Sequence, residues 1–129
     1  DNSITNSSYV RYLCNYPNVN INGDFDINNL IDNTARGLGI NINRGNIYCS
    51  DVFYEVNNDF KEKVKNYNVL GVEMESFALF MNAKLLNKRA STLLMVSDSF
   101  IFTEKLSSIE REQGLDKLIT LALETSLKL

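Results

Sequence analysis

The chain has 129 residues, of which 44% are hydrophobic and 22% charged, and its formal net charge is −3. This is the composition of an ordinary globular domain with one modest core, and the slightly acidic balance offers no basic surface for nucleic acid. No apolar run is long enough to cross a membrane. We therefore expect one domain over residues 1–129, with neither nucleic acid nor a membrane as a partner.

Cysteine and histidine usage limits the chemistry of the chain. It has two cysteines, Cys14 and Cys49, and no histidine. The common zinc ligand sets and the Ser-His or Cys-His nucleophile arrangements are therefore excluded within this chain. Two free thiols fit a reducing compartment, so we expect a cytoplasmic location.

The first half of the chain predicts few regular elements. A polar string over residues 1–8 indicates a mobile terminus or an interior loop of a longer protein, and the region from about Tyr9 to Asp24 is expected to be irregular. Asp26 can cap a helix that Gly39 ends. An imperfect alternation over residues 41–50 predicts a strand, and Asp59 starts a short helix. The apolar positions of these helices are Ile27, Leu30, Ile31, Ala35 and Leu38 in the first, and Phe60, Val64 and Tyr67 in the second.

The second half has clearer patterns. Two compact apolar runs, 69–72 and 92–96, predict buried strands. Ser107 and Glu110 have the spacing of a capping box that starts a C-terminal helix. The predicted apolar stripes are Met74, Phe77, Ala78, Met81 and Leu85 in the helix between the strands, and Leu115, Leu118, Ile119, Ala122 and Ser126 in the last helix.

This order of elements predicts an α/β sheet with right-handed crossovers. In such sheets ligands bind at the carboxyl ends of the strands. Glu75 follows the first predicted strand and Asp98 follows the second, so the pattern selects these two carboxylates.

Each candidate also has an ordinary structural explanation. Glu75 can simply complement a helix dipole, and Asp98 can be a cap or turn residue. Phe53 can stack on a ligand or fill the core. Arg111 is in the first turn of a helix, where a cation opposes the dipole, so we expect an anionic partner such as Asp98.

The motifs together resemble the bacterial-type, hexameric purine nucleoside phosphorylases. The resemblance rests on Ser50-Asp51-Val52-Phe53-Tyr54, Gly71-Val72-Glu73-Met74-Glu75, Val96-Ser97-Asp98 and Glu110-Arg111-Glu112-Gln113. It runs from about Gly45 to the C-terminus and is fair from Asp24 to Gly39. It is weak before Gly23, where Asp1 and Ser3 resemble the end of a family strand. It implies a three-layer α/β/α fold with a mixed central sheet. The chain departs from the family at Ser99, where a histidine is expected.

The resemblance also implies a role for each matching residue. Phe53 would pack against the purine, Val72 and Met74 would line the base and the ribose, and Glu73 would belong to the same substrate-binding segment. Glu75 would accept hydrogen bonds from the ribose 2′- and 3′-hydroxyls. Ser97 and Asp98 would contact the edge of the base. Asp98 would be the general acid toward purine N7, and Arg111 would assist that transfer.

The implied reaction is phosphate-dependent cleavage of the N-glycosidic bond of purine (deoxy)ribonucleosides to free base and (deoxy)ribose 1-phosphate. It requires inorganic phosphate as co-substrate, no cofactor and no metal. Family members are longer and carry a Gly-rich phosphate loop with arginines, which has no counterpart here. We therefore expect the C-terminal part of a longer domain, inactive alone, in a homo-oligomer (a hexamer built as a trimer of dimers) or with the missing N-terminal part.

Two other functions stay open at this point. A nucleosidase acting on methylthioadenosine or S-adenosylhomocysteine would share Glu75 and Asp98 but would use water, and residues 110–113 do not fit it. A non-catalytic nucleoside-binding fragment would keep the fold without the reaction, although retention of Asp98 with Arg111 argues against it. Uridine phosphorylase is disfavoured because its base site uses different polar groups.

Overall fold

The computed structural model describes residues 1–5, 20–54, 59–99 and 106–129. The chain divides into two compact units. The sheet unit comprises Asp1–Phe25 and Asn43–Ser91, and the helical unit comprises Asp26–Ile42 and Thr92–Leu129. None of the helices in the described ranges is both long and apolar enough to cross a membrane.

A mixed four-stranded sheet forms the centre of the sheet unit. Its strands are β1 (Asn2–Thr5), β2 (Asn20–Asn22), β3 (Asn46–Cys49) and β4 (Val69–Glu73), in the spatial order β2-β1-β3-β4. β1, β3 and β4 are parallel, and β2 is antiparallel beside β1. The parallel strands therefore end at one edge of the sheet. The prediction of an α/β fold with a mixed sheet is confirmed.

The N-terminal residues form a strand, contrary to the expectation from their polar pattern but in agreement with the resemblance of Asp1 and Ser3 to the end of a family strand. β1 is a central strand, and its Ser3, Ile4 and Thr5 are buried. The hydroxyl of Thr5 donates to the carbonyl oxygen of Cys49 at 2.7 Å, so a polar side chain is satisfied inside the sheet. Central parallel strands are usually continuous apolar runs, so the polar residues of β1 did not fit the pattern by which such a strand is predicted. β2 lies within the stretch expected to be irregular, whereas Cys14 is outside the described residues.

Helix α2 (Asp59–Asn66) lies between β3 and β4 along the chain, as the crossover between adjacent parallel strands. It begins at Asp59 as predicted, but Tyr67 follows its last residue. Asn68 has a φ of 49°, a left-handed conformation that asparagine tolerates, and turns the chain into β4.

Helix α3 (Ser76–Leu85) packs on the sheet. The core cluster consists of Ile21, Cys49, Phe77, Phe80 and Met81. Burial of Phe77 and Met81 confirms the centre of the predicted stripe, but its two ends are wrong. Met74 precedes the helix, because β4 and the following turn occupy the chain up to Glu75. At the other end Leu85, the last residue of the helix, is exposed.

Helix α1 (Phe25–Leu38) lies mainly in the helical unit and buries Ile31, Thr34 and Ala35. Gly39, with a φ of 65°, follows it in the left-handed conformation typical of a helix end, as predicted. The predicted N-cap is wrong. The helix begins at Phe25, so Asp26 lies in its first turn.

Helix α4 (Ser108–Ser126) begins as predicted, with Ser107 and Glu110 forming a complete capping box. Its predicted buried face is wrong. Leu121 and Thr125 are the buried residues, and Leu121 packs against Ile31 and Ala35 of α1. Of the predicted face, Leu115, Ile119, Ala122 and Ser126 are exposed and Leu118 is half-buried.

The apolar segment Thr92–Val96 was predicted to be a strand, and this prediction is wrong for the described structure. None of the strands of the sheet includes it. An apolar segment becomes a strand only where its backbone groups pair with a neighbour. Here Leu93 instead packs against the cluster of Ile31, Ala35 and Leu121 in the helical unit.

Candidate functional site

The candidate residues are distributed over both units. The sheet unit holds Phe53, Val72, Glu73, Met74 and Glu75, and the helical unit holds Ser97, Asp98 and Arg111. The first set lies at or just after the carboxyl ends of β3 and β4, the position expected from the sequence. The second set brackets residues 100–105, which are outside the described residues.

The sheet register brings the end of β3 against the end of β4. Cys49 is the partner of Glu73, and the Ser50 N–H donates to the carbonyl oxygen of Glu73 at 2.9 Å. The buried Ser50 hydroxyl then donates to the carbonyl oxygen of Val52 at 2.8 Å and accepts from the Val52 N–H at 3.2 Å. This compact turn leads to Phe53, so the segments that carry Phe53 and Glu75 leave from neighbouring strands.

Phe53 lies on the surface of the described structure. Its side chain is 79% exposed, and Tyr54 beside it is 84% exposed. The two rings meet edge to face, with centroids 5.0 Å apart and an interplanar angle of 77°. Phe53 therefore does not fill the core of the sheet unit, and a planar apolar face stands open next to the strand ends.

Val72 and Met74 add apolar surface at the same edge. Their side chains are 37% and 40% exposed. An apolar surface with a few polar groups at one point is the usual composition of a small-molecule site. The polar groups here are the carboxylates of Glu73 and Glu75.

These two carboxylates have different surroundings. Glu73 Oε2 accepts hydrogen bonds from the N–H groups of Glu75, at 2.9 Å, and Ser76, at 2.7 Å, and Oε1 accepts from the Ser76 hydroxyl at 2.6 Å. Glu75 occupies the N-cap position of α3 but makes no side-chain capping bond. Its Oε2 accepts one long bond, 3.3 Å, from the Met74 N–H. Glu73 therefore accepts the N–H groups at the start of α3, whereas the exposed carboxylate of Glu75 does not cap the helix.

The thiol of Cys49 lies under this edge and is buried. Burial raises the pKa of the Cys49 thiol to about 12, and the nearby charge of Glu73 acts in the same direction. A protonated, buried thiol is a poor nucleophile. Cys49 therefore serves the core rather than the chemistry of the site.

In the helical unit, Ser97 and Asp98 form a local pair. The Ser97 hydroxyl donates to Asp98 Oδ2 at 3.1 Å, and the carbonyl oxygen of Ser97 accepts from the Leu106 N–H at 3.3 Å. Asp98 is exposed. The contact with Leu106 joins the two sides of residues 100–105.

Arg111 lies exposed in the first turn of α4, as predicted. The Ser107 N–H and hydroxyl both donate to Glu110, and these bonds lower the pKa of the Glu110 carboxyl below its usual value. The expected ion pair of Arg111 with Asp98 is not present. Within the described ranges the ion pair found joins Arg44 to Asp1.

Two residues of the site were missed from the sequence. Ser76 and Ser3, which are 73 positions apart, share a buried hydrogen bond of 2.7 Å. The spacing Glu73-x-x-Ser76, an acceptor three residues before a donor at a helix start, was an available local signal. Nothing local could indicate Ser3.

A cavity in the sheet unit lies away from the candidate residues. Its volume is about 390 Å³, and it is lined by side chains of β2 and α3, among them Ile21, Phe80 and Lys84, and by none of the candidates. In the part of the chain that the structure describes, no three His, Cys, Asp or Glu side chains are placed to hold a metal ion. Phe53, Val72, Met74 and Glu75 of the sheet unit are instead exposed at the strand ends.

Comparison with known proteins identifies a family match over most of the chain. Residues 4–123 match the family described as the phosphorylase superfamily. The match includes the N-terminal stretch, where the resemblance from motifs alone was weak.

Individual relatives share the same designation. The chain is 42% identical over 100 residues to a DeoD-type purine nucleoside phosphorylase of Mycoplasma genitalium, covering 78% of this chain and 42% of that protein. It is 34% identical over 125 residues to a DeoD-type 2 purine nucleoside phosphorylase of Aliivibrio fischeri, covering 97% of this chain and 53% of that protein. The chain thus spans about half the length of the relatives it matches.

A solved structure shares the fold. The crystal structure of the Campylobacter jejuni 5′-methylthioadenosine/S-adenosyl homocysteine nucleosidase superposes with a TM-score of 0.75 at 20% identity. The alignment covers 99% of this chain and 59% of that chain. At this identity the likeness concerns the fold alone.

Proposed function

The chain belongs to the phosphorylase superfamily, and we propose that the protein carrying it is a purine nucleoside phosphorylase. The reaction is the phosphate-dependent cleavage of the N-glycosidic bond of purine ribonucleosides and deoxyribonucleosides. The observation that carries the proposal is the 34–42% identity to DeoD-type purine nucleoside phosphorylases over most of this chain. Since the chain spans about half of their length, the proposal concerns the reaction of the whole protein.

The substrate-binding part of the proposal concerns the strand edge of the sheet unit. Phe53 would offer its exposed ring to the purine, and Val72 and Met74 would pack against the base and the ribose. Glu75 would accept hydrogen bonds from the 2′- and 3′-hydroxyls, since a carboxylate has two oxygens for a vicinal diol. The absence of a side-chain capping bond at Glu75 supports this assignment.

The acid part concerns Ser97, Asp98 and Arg111. Cleavage develops positive charge on the ribose and negative charge on the leaving purine. A proton delivered to purine N7 neutralises the leaving group, and a positioned carboxylic acid can supply it. We assign this proton to Asp98, with Ser97 orienting the carboxyl group through its 3.1 Å bond and Arg111 closing on the site when substrate binds.

Phosphate would attack the anomeric carbon, and the family resemblance implies that its binding groups lie outside residues 1–129. The domain is accordingly proposed to be one part of a longer phosphorylase domain. No organic cofactor or metal is required by this chemistry. A homohexamer, assembled as a trimer of dimers in the cytoplasm and acting in purine salvage, is proposed with it. The molar mass in solution tests the hexamer, and the cell fraction that holds the protein tests the cytoplasmic location.

Phosphate dependence tests the reaction directly. Purified protein carrying this chain is incubated with inosine or adenosine, with and without inorganic phosphate, and the sugar product is identified. Ribose 1-phosphate formed only with phosphate is the expected result. Free ribose formed equally well without phosphate would identify a nucleosidase instead. Binding without turnover in either buffer would identify a non-catalytic nucleoside-binding protein.

A further inference from the structure

Glu73 and Glu75 are adjacent acidic positions that the structure uses differently. The N-terminal N–H groups of a helix lack partners within the helix. At α3 two such donors, the N–H groups of Glu75 and Ser76, both point to Glu73 Oε2. The bonds, 2.9 Å and 2.7 Å long, are charge-assisted and so among the stronger hydrogen bonds in proteins.

The hydroxyl contacts fix the direction of a chain of hydrogen bonds. Ser76 donates its one hydroxyl proton to Glu73 Oε1 at 2.6 Å. A serine hydroxyl has a single proton, so in the 2.7 Å bond between Ser3 and Ser76 the donor must be Ser3. The series of hydrogen bonds therefore runs from the Ser3 hydroxyl through the Ser76 hydroxyl to the carboxylate of Glu73.

This series of hydrogen bonds begins in the least accessible part of the sheet unit. Ser3 is 0% exposed and Ser76 is 1% exposed. Ser3 lies in β1, which has a strand on each side. Leaving either hydroxyl without its partner would cost the desolvation of a buried polar group, so the arrangement resists distortion.

We propose that Glu73 is a positioning residue, which fixes the backbone that carries Glu75 and does not itself bind the ribose. The proposal rests on the proposed function, which assigns the diol to Glu75. Three of the roughly four acceptor directions of the Glu73 carboxylate are already occupied by N–H and O–H donors. The bond to the Glu75 N–H is the contact through which Glu73 acts on the diol-binding residue.

Amide hydrogen exchange tests the anchoring without any activity. In the protein carrying this chain, Glu73→Ala is expected to accelerate exchange of the Glu75 and Ser76 amides by about tenfold or more, since a bond to a charged acceptor is lost. Glu73→Gln keeps an oxygen acceptor and is expected to fall between Glu73→Ala and the unaltered protein. Asp26→Ala, which removes a carboxylate from the first turn of α1, is the matched control and should leave both rates unchanged. Unchanged exchange in Glu73→Ala would overturn the proposal.

A double-mutant cycle then separates positioning from direct binding. Glu73→Ala is expected to lower kcat/KM about tenfold for a purine riboside and to leave it nearly unchanged for the 2′,3′-dideoxyriboside. In a Glu75→Ala background the same change should have no further effect, because the residue it positions is gone. Ser76→Ala should reproduce the pattern more weakly, which covers the case that Glu73→Ala folds poorly. Independent, additive losses would show that Glu73 contacts the sugar itself, and equal losses on both substrates would reduce it to a structural residue.

The two proposals fail separately. If the unaltered protein shows no phosphate-dependent cleavage, the proposed function fails, while the exchange rates still decide whether Glu73 anchors the backbone at Glu75. If cleavage occurs and exchange is unaffected by Glu73→Ala, the positioning proposal alone fails.

Discussion

Glu75 presents two carboxylate oxygens at the edge where the parallel strands end. A ribose presents two neighbouring hydroxyls, each with one proton to donate, so a vicinal diol can occupy both oxygens. The helix that follows does not compete for the side chain, because Glu73 accepts the N–H groups at its start. Because Glu73 caps the start of α3, the carboxylate of Glu75 is not needed there, and we propose that it binds the ligand.

The first prediction concerns this diol. Glu75→Ala is expected to raise the KM for purine ribosides by about tenfold or more, and to raise it less for 2′-deoxyribosides, which have one hydroxyl fewer. Steady-state phosphorolysis of ribosides and 2′-deoxyribosides by the protein carrying this chain measures the two KM values. Glu62→Ala, in the exposed surface of α2, is the control. Equal increases in KM for the two sugars would count against the assignment of Glu75 to the diol.

The second prediction concerns the proton. Asp98→Asn keeps the shape of the side chain but removes the acid, so kcat on ordinary purine nucleosides is expected to fall by about 10²–10⁴. A 7-methylated purine nucleoside already carries positive charge on its base and should be cleaved by the variant almost as well as by the unaltered protein. Asp116→Asn, exposed on α4, is the matched control. Comparable losses on both substrates would remove Asp98 from the role of general acid.

At the scale of elements, helix α4 shows why an apolar pattern can predict a helix and still misplace its face. Between Leu115 and Leu123 more than half of the positions are apolar, so several stripes satisfy the helical period. The structure selects the stripe that meets α1, where Leu121 packs against Ile31 and Ala35. Tertiary packing, rather than the pattern in one helix, decided the orientation.

The third prediction follows from that orientation. Leu121→Ala removes a side chain that is 2% exposed and should lower the free energy of unfolding by about 2–5 kcal/mol. Leu123→Ala, two positions further along the same helix and 60% exposed, should change it by about 0.5 kcal/mol or less. Urea unfolding of both variants measures the two values. A loss at Leu123 as large as that at Leu121 would show that the buried face has been assigned wrongly.

At the scale of the whole molecule, the sequence predicted what depends on local pattern. β4 and α3 are separated by Met74 and Glu75 alone, and were recognised by a compact apolar run and a helical stripe. The residue pattern did not predict strand β1, because its buried hydroxyls are satisfied by partners more than 40 positions away, such as the carbonyl oxygen of Cys49. The residues of the candidate site likewise differ in whether a local pattern could predict them. Glu75 follows from its place after a strand, whereas the anchor through Ser3 depends on a contact across 73 positions.

Cys49 provides a probe of how this sheet and helix α3 hold together. Its side chain is 3% exposed and belongs to the core cluster with Phe77 and Met81. Its pKa is raised from 9.0 to about 12, so the thiol stays protonated where an unfolded chain ionises. A group whose pKa is raised by folding contributes stability below its unfolded pKa and loses that contribution as the pH rises through its folded pKa. The contribution of Cys49 is therefore expected to decline from about pH 9 toward pH 12.

The last prediction uses this thiol to report opening of the sheet unit. In a Cys14→Ala background, iodoacetamide at pH 8.5 should modify Cys49 slowly in native buffer and rapidly in denaturant. A free thiol is partly ionised at that pH, whereas the buried thiol of Cys49 stays protonated. Mass spectrometry measures the modified fraction over time, and a Cys49→Ser variant in the same background gives the zero level. Since reaction requires exposure of the α3 core, Phe77→Ala should speed native labelling, whereas Leu70→Ala, on the exposed face of β4, should not. Native labelling of Cys49 at the rate of a free thiol would show that the sheet and α3 are not held together as described.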